Sequence, residues 1–189
     1  MKMKFAAIAM VLLSSGVAQA QDWAVEFYGG AALGGNLEYH LGSYDLDAGH
    51  ALGFGIYNTS IEGIELGADL MNTGRGFTGY STGANSISAM FVARVPFHLS
   101  DDFSVYAGAG AGVIDVIRVG AGTYNGHEWV PGVQASLGAR FAIGETSSMF
   151  AEVKHQNALR HALIDSISAT DRKHEFNATS VLLGFRQEF

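Results

Sequence analysis

The sequence predicts an all-β chain, a single eight-stranded antiparallel up-and-down transmembrane β-barrel. Three observations carry that expectation. Apolar and polar residues alternate with period two along nearly the whole chain, which is how strands with two unlike faces read. The connections between those strands alternate between short and long, as in barrels that cross a membrane. The composition is apolar and weakly charged: 48% hydrophobic and 15% charged, with 25 Gly and no Cys in 189 residues.

The first twenty residues stand apart from this pattern. MKMKFAAIAMVLLSSGVAQA has a basic start at Lys2 and Lys4, an apolar run from Phe5 to Leu13, and Ala18-Gln19-Ala20 before Gln21. That is the layout of a secretory signal peptide, so residues 1–20 are expected to be cleaved and residues 21–189 to form one barrel domain. The apolar run is too short for a membrane-spanning helix, which takes about 20 residues, and the remaining chain has no longer one. Removing residues 1–20 takes two Lys and no acid, so net charge moves from -7 to -9, with 9 basic against 18 acidic residues. An acidic chain without a basic run does not suit nucleic acid as a partner.

Eight segments read as strands: about Trp23–Gly35, His50–Asn58, Gly63–Asn72, Ser86–His98, Phe103–Ile117, Glu128–Ile143, Met149–Asn157 and Phe176–Phe189. Each is long enough to cross a bilayer as a tilted strand, which takes about 9–11 residues. Short connections fall near Thr59–Glu62, Leu99–Asp102 and Gly144–Ser148. Long ones are expected at Asn36–Gly49, Thr73–Asn85, Arg118–His127 and Ala158–Glu175.

Taken in order, the first segment sets Glu26, Tyr28 and Gly30 on one face, and the third sets Glu65, Gly67 and Asp69. In the fourth, Ser88 and Arg94 oppose Ile87, Ala89, Phe91, Ala93, Val95 and Phe97. The fifth alternates Ser104, Tyr106 and three glycines with Phe103, Val105 and alanines. The sixth places Gln134, Ser136 and Arg140 against Val133, Leu137 and Phe141; the seventh places Glu152 and Lys154 against Val153 and His155. The eighth sets Ser180, Gly184 and Arg186 against Val181, Leu183 and Phe185.

Such alternation fits a soluble, lipocalin-like ligand-binding barrel with apolar residues inside, or a membrane barrel with apolar residues facing lipid. The polar face decides for the membrane. It is mostly Gly and Ser, unlike a water-facing surface rich in Lys and Glu. Its charges also balance: Glu26, Glu65, Asp69 and Glu152 against Arg94, Arg140, Lys154 and Arg186, as expected of a paired interior network. Outward aromatics gather on the short-turn side, at Trp23, Phe97, Phe103, Phe141, Phe185 and Phe189, as an interfacial girdle would.

The opening strand Phe27-Tyr28-Gly29-Gly30-Ala31-Ala32-Leu33-Gly34-Gly35 and the close Leu183-Gly184-Phe185-Arg186-Gln187-Glu188-Phe189 resemble the OmpA-like family of eight-stranded outer-membrane proteins. The resemblance covers residues 21–189. It implies location in the outer membrane of a Gram-negative bacterium, contact with outer-membrane lipid and lipopolysaccharide, and insertion by the barrel-assembly machinery. Val181, Leu183, Phe185 and Phe189 match the family's assembly signal; Gln187 departs from its usual aromatic. No segment is left for a peptidoglycan-binding domain, so cell-wall tethering is not expected.

On function, eight strands enclose an interior just wide enough for side chains. The expected role is structural and surface-exposed, porin-like only in architecture, with the lumen filled or at most narrowly conducting. The long extracellular loops, with Thr73–Gly83 rich in Gly, Ser and Thr, are the surface on which another molecule would bind. One catalytic alternative is a lipid A-modifying hydrolase. Deacylases of that kind carry H-x-S-N with a nearby Glu, and His155-Gln156-Asn157-Ala158 resembles it in the histidine, with Glu175 as orienting acid. Asn157, however, stands where the nucleophilic serine belongs. His155, His161 and His174 with Asp165 and Asp171 match no closed metal site, so no metal and no cofactor is expected.

Overall fold

The computed structural model describes residues 22–39, 42–79, 83–119, 127–159, 162–163, 173–174 and 176–189. The expected signal peptide lies outside the described residues. Twelve strands form among them: β1 Trp23–Ala32, β2 Gly35–Tyr39, β3 Gly42–Leu46, β4 Gly49–Ile61, β5 Ile64–Gly76, β6 Gly83–His98, β7 Phe103–Val119, β8 His127–Ala142, β9 Ser147–Ala158, β10 Ala162–Leu163, β11 Lys173–His174 and β12 Asn177–Glu188. Eight of them close into one antiparallel barrel in the order β1-β12-β9-β8-β7-β6-β5-β4. Closure comes at β1, where Glu26 lies opposite Gly55 of β4 on one side and Arg186 of β12 on the other. A closed ladder leaves no strand edge unpaired in lipid.

The two faces are sorted by side chain. Tyr28, Tyr57, Tyr106 and the charged residues Glu26, Glu65, Asp69, Arg94, Arg140, Glu152, Lys154 and Arg186 are buried inside, while Phe91, Leu137 and Leu183 stand outward, Phe91 at 79% exposure. This is the inverse of a soluble ligand-binding barrel. On the outside, one register row runs Phe103, Phe141, Met149, Phe185, Phe27 and Phe54 across six strands. The rings of Phe27 and Phe54 meet at 5.1 Å. Because strands in a barrel are staggered, this row begins at the turn side and climbs around the wall.

Inside, bulky rings need room, and glycine supplies it. A Cβ on Gly53 would overlap the Tyr28 ring, and one on Gly138 would overlap the Tyr106 ring. Gly53 and Gly138 are therefore seats for aromatic side chains on neighbouring strands. At the short β4–β5 turn, Gly63 has φ 77°, a left-handed conformation that side chains disfavour. Asp22, the first described residue, and Phe189 sit on this side, where Phe189 N donates to Trp23 O at 2.9 Å and Thr59 N to Asp22 O at 2.7 Å.

The opposite side differs from the expected loops. Asn36–Gly49 was expected to be a long connection, but β2 and β3 pair there as a hairpin. Buried Leu46 packs with Phe77 and Ala84, and Asp47 N donates to Gly76 O at 2.9 Å, which ties the hairpin to the barrel rim. Thr73–Asn85 likewise was expected to be a loop. Instead β5 runs to Gly76 and β6 resumes at Gly83, with the two residues paired. Gly, Ser and Thr favour turns, but neighbouring strands hold them in the ladder, and inward Thr73 and Ser86 share a 2.7 Å hydrogen bond. In the last long connection, β10 pairs with β11.

Candidate functional site

The lumen is built in two layers. Toward the turn side lies the charged one. Arg94 from β6 donates through Nη1 to Glu26 Oε1 and Oε2 at 2.8 and 2.7 Å, and through Nη2 to Glu152 Oε2 at 3.1 Å. Arg140 from β8 donates to both Glu65 oxygens at 3.0 and 3.2 Å, the planar two-pronged match that guanidinium makes with carboxylate. Arg186 from β12 bridges Glu26 and Glu65, with Nη1 at 3.1 Å from each and Nη2 at 3.0 Å from Glu65. Lys154 pairs with Asp69, meets Glu152 Oε1 at 3.2 Å and donates to Tyr28 OH at 3.1 Å, while the Tyr28 hydroxyl donates to Asp69. The structure thus brings all eight charged residues singled out from the sequence into one connected set.

Aromatic rings complete this layer. The Arg94 guanidinium lies 4.1 Å from the Tyr57 ring centre and 4.8 Å from that of Tyr106, and Arg140 lies 5.1 Å from Tyr106. Arg94 and Arg140 therefore have carboxylates at their terminal nitrogens and ring faces against them, an arrangement suited to a desolvated guanidinium. Below, a cleft of about 180 Å³ opens at the turn side, lined by His98, Asp101, Asp102, Glu145 and Glu188, with Arg140 also lining it.

Toward the long-loop side the lumen changes character. Gln134 donates to Asp69 at 3.2 Å, and Gln156 donates to Gln134 at 3.0 Å and to Ser88 at 2.8 Å, forming a neutral polar tier. Beyond it, Met90, Ile114, Val116, Val130, Phe176 and Ala178 are buried in one apolar cluster. The sequence reading took the inner face as small and polar, and missed this second layer. Its signal is present in the even-numbered positions Ile114 and Val116 of β7, which keep the inward phase of Tyr106.

Arg75 falls within the expected long connection Thr73–Asn85. It sits inside the barrel near the end of β5, at 4% exposure, where Nη2 donates to Asn177 O at 2.7 Å. Its guanidinium lies 5.4 Å from the Phe176 ring centre.

On the outer wall, His155 faces away from the lumen, and its Nδ1 is 2.8 Å from Thr179 Oγ1 on β12. The hydroxyl nearest this histidine thus comes from across the sheet, while Asn157 is paired in register with Asn177. Glu175, His161, Asp165 and Asp171 lie outside the described residues, and His174 is opposite Ala162 in the β10–β11 pair. No cluster of three metal-binding side chains occurs among the described residues. Val181, Leu183 and Phe185 all point outward on β12.

The model of the outer membrane protein beta-barrel domain family matches residues 5–187. The chain belongs to this family. Among solved structures, Neisserial surface protein A is similar at TM-score 0.61 and 15% identity, over 89% of this chain and 97% of that one. The N-terminal barrel domain of Pseudomonas aeruginosa OprF is similar at 0.57 and 14%, over 89% and 98%. Ail of Yersinia pestis, solved with the heparin analogue sucrose octasulfate, is similar at 0.53 and 15%, over 89% and 99%. No curated protein sequence matches the chain. At these identities the likeness is one of fold, and with the family match it makes the chain a barrel of the Gram-negative outer membrane, in contact with membrane lipid.

Proposed function

We propose that this outer-membrane barrel is a structural, surface-exposed protein whose lumen carries no steady flow and whose extracellular end is its contact surface. The observation that supports closure is the stacking of two unlike layers in one narrow barrel. Arg94, Glu26 and Glu152 are fully buried, and Met90, Ile114, Val130 and Phe176 form an apolar tier beyond them. An ion passing the charged layer would have to part paired groups, and then shed its water in the apolar tier; both steps are costly. The test is conductance of the purified protein in planar lipid bilayers. Single-channel steps should be absent or rare and small. Long-lived openings of porin size would sink the reading.

Residues 1–20 are, on this reading, removed on export; mass spectrometry of the protein from outer membranes should give a chain beginning at Gln21. The alternation of Val181, Leu183 and Phe185 supports recognition by the barrel-assembly machinery. Phe185→Asp should then slow assembly in cells while refolding into detergent proceeds. Lipopolysaccharide is the natural neighbour of the outward face in the outer leaflet.

A further inference from the structure

The outward apolar belt has two heights. On β6 it runs from Ile87 to Phe97, on β7 from Phe103 to Val113 and on β8 from Pro131 to Phe141, apolar at every outward position. On β9 and β12 it shrinks to two facing sets of three, Met149, Ala151 and Val153 against Phe185, Leu183 and Val181. Polar rungs bound this patch at both ends. On the long-loop side His155 faces Thr179, with Nδ1 2.8 Å from Oγ1, and Asn157 faces Asn177. On the turn side Ser147 Oγ donates to Gln187 Oε1 at 2.8 Å, and Gln187 Nε2 donates to Thr146. The next strand does not share the upper rungs: Ala135 and Val133 of β8 are in register with His155 and Asn157. β4 repeats the short form, with Leu52, Phe54 and Ile56 between His50 and Asn58, beyond the apolar outer face of β1.

At about 3.4 Å per residue and a tilt near 45°, a stretch such as Ile87–Phe97 gives a belt about 26 Å tall, and one such as Val181–Phe185 about 12 Å. Lipid-facing bands are ordinarily about 25 Å tall. The long strands therefore match the hydrocarbon layer, and β9 and β12 fall short by about half. A barrel leaning in the membrane does not produce this, because leaning moves both edges of a belt the same way, and here both edges close inward. Polar groups without partners are costly in hydrocarbon, and the side-chain amides of Asn157 and Asn177 donate to no described residue. They need water or a headgroup at their own height. Bilayers meet a short belt by thinning locally, at a small cost per Å. We propose that the outer wall holds a thinned patch of bilayer along β9 and β12, where headgroups and water of the outer leaflet descend to the level of His155. Phosphate and ester oxygens of those headgroups accept from the two amides. The lipid that fits this flank has chains shorter than those that match β6 to β8. The patch lies on the outer wall, so it stands whether or not the lumen conducts.

The chain has no Cys, so a single introduced cysteine carries one spin label, whose depth is read from its relative accessibility to oxygen and to a water-soluble nickel chelate. Val153→Cys and Val181→Cys sample the thin flank. Ala135→Cys on β8 and Ala111→Cys on β7 sample the tall one, at matching heights once the climb of the register rows is counted. In palmitoyl-oleoyl phosphatidylcholine bilayers the first two labels should read shallower than the second two by roughly 5 Å, part of the missing belt height. His155→Leu with Thr179→Val adds an apolar rung, and should carry the labels at 153 and 181 deeper while leaving the other two in place. A heat-dependent gel shift shows that each variant is folded; if the double variant fails to fold, the comparison among the four single-cysteine proteins decides. Equal depths at all four positions would overturn the thinned patch, and so would labels that stay in place in the double variant. Labels on β9 and β12 shielded from both reagents would overturn it as well, because a protein partner or a second copy would then cover the flank.

Discussion

Arg94 closes on Glu26 across the lumen, with one nitrogen, Nη1, 2.8 and 2.7 Å from the two carboxylate oxygens and neither side chain exposed to solvent. Its second terminal nitrogen is held by Glu152. Truncation would therefore leave two buried carboxylates one cation short, Glu26 held by Arg186 and Glu152 by Lys154. Arg94→Met is expected to cost about 3–5 kcal/mol, as for removal of one partner from a buried pair. Adding Glu26→Gln should recover part of that loss. Urea unfolding in lipid vesicles, followed by the fluorescence of the two Trp residues, measures both. A loss below about 1 kcal/mol would mean the pair behaves as an exposed one.

Glycine has two separate jobs, and they separate by experiment. Gly138 makes room for the Tyr106 ring, so Gly138→Ala should cost about 1–3 kcal/mol by overpacking. In a Tyr106→Ala background the same change should cost little, because the ring it displaces is gone. Equal costs in both backgrounds would remove the steric account.

Gly63 has no neighbouring atom within 4 Å of a built Cβ, but its φ is 77°. Gly63→Ala should therefore cost about 1–2 kcal/mol through backbone strain alone, and Gly63→Asn less. A cost from Asn as large as that from Ala would show that the turn is not held left-handed.

Phe91 stands in the middle of β6 at 79% exposure. In water, Phe91→Lys would be close to neutral. Facing lipid near the bilayer centre it should cost about 2–4 kcal/mol, whereas Leu99→Lys in the exposed β6–β7 turn should change stability by under about 0.5 kcal/mol. Refolding equilibria of the two variants in vesicles compare them directly.

His155 offers a fourth kind of test. Its near hydroxyl, Thr179 Oγ1, is held to Nδ1 on an open strand wall, and Asn157 occupies the serine position of the deacylase pattern. Lipid A from cells with and without the protein is expected to carry the same number of acyl chains by mass spectrometry. Loss of one chain, abolished by His155→Ala, would reinstate the hydrolase reading.

The eight barrel strands, their faces and the turn side were legible from the chain, because period-two alternation is a local property that lipid outside and a narrow lumen inside both enforce. Glu152 and His155 fall on opposite sides of β9 for that reason alone, which splits a group that looks like one site in the linear sequence. Which acid meets which base was not legible. Arg140 and Glu65 are 75 residues apart and Arg186 and Glu26 are 160 apart, and only the closed barrel sets them at one height. Strand ends beyond the membrane were misread for a related reason. Thr73 to Gly76 has turn-like composition, yet pairing with β6 keeps it in the wall and carries Arg75 inward, into a mouth whose apolar lining comes from β7, β8 and β12. The sequence by itself determined what each side chain would face; the tertiary structure decided what each would touch, because contact in a barrel depends on register between strands far apart in the chain.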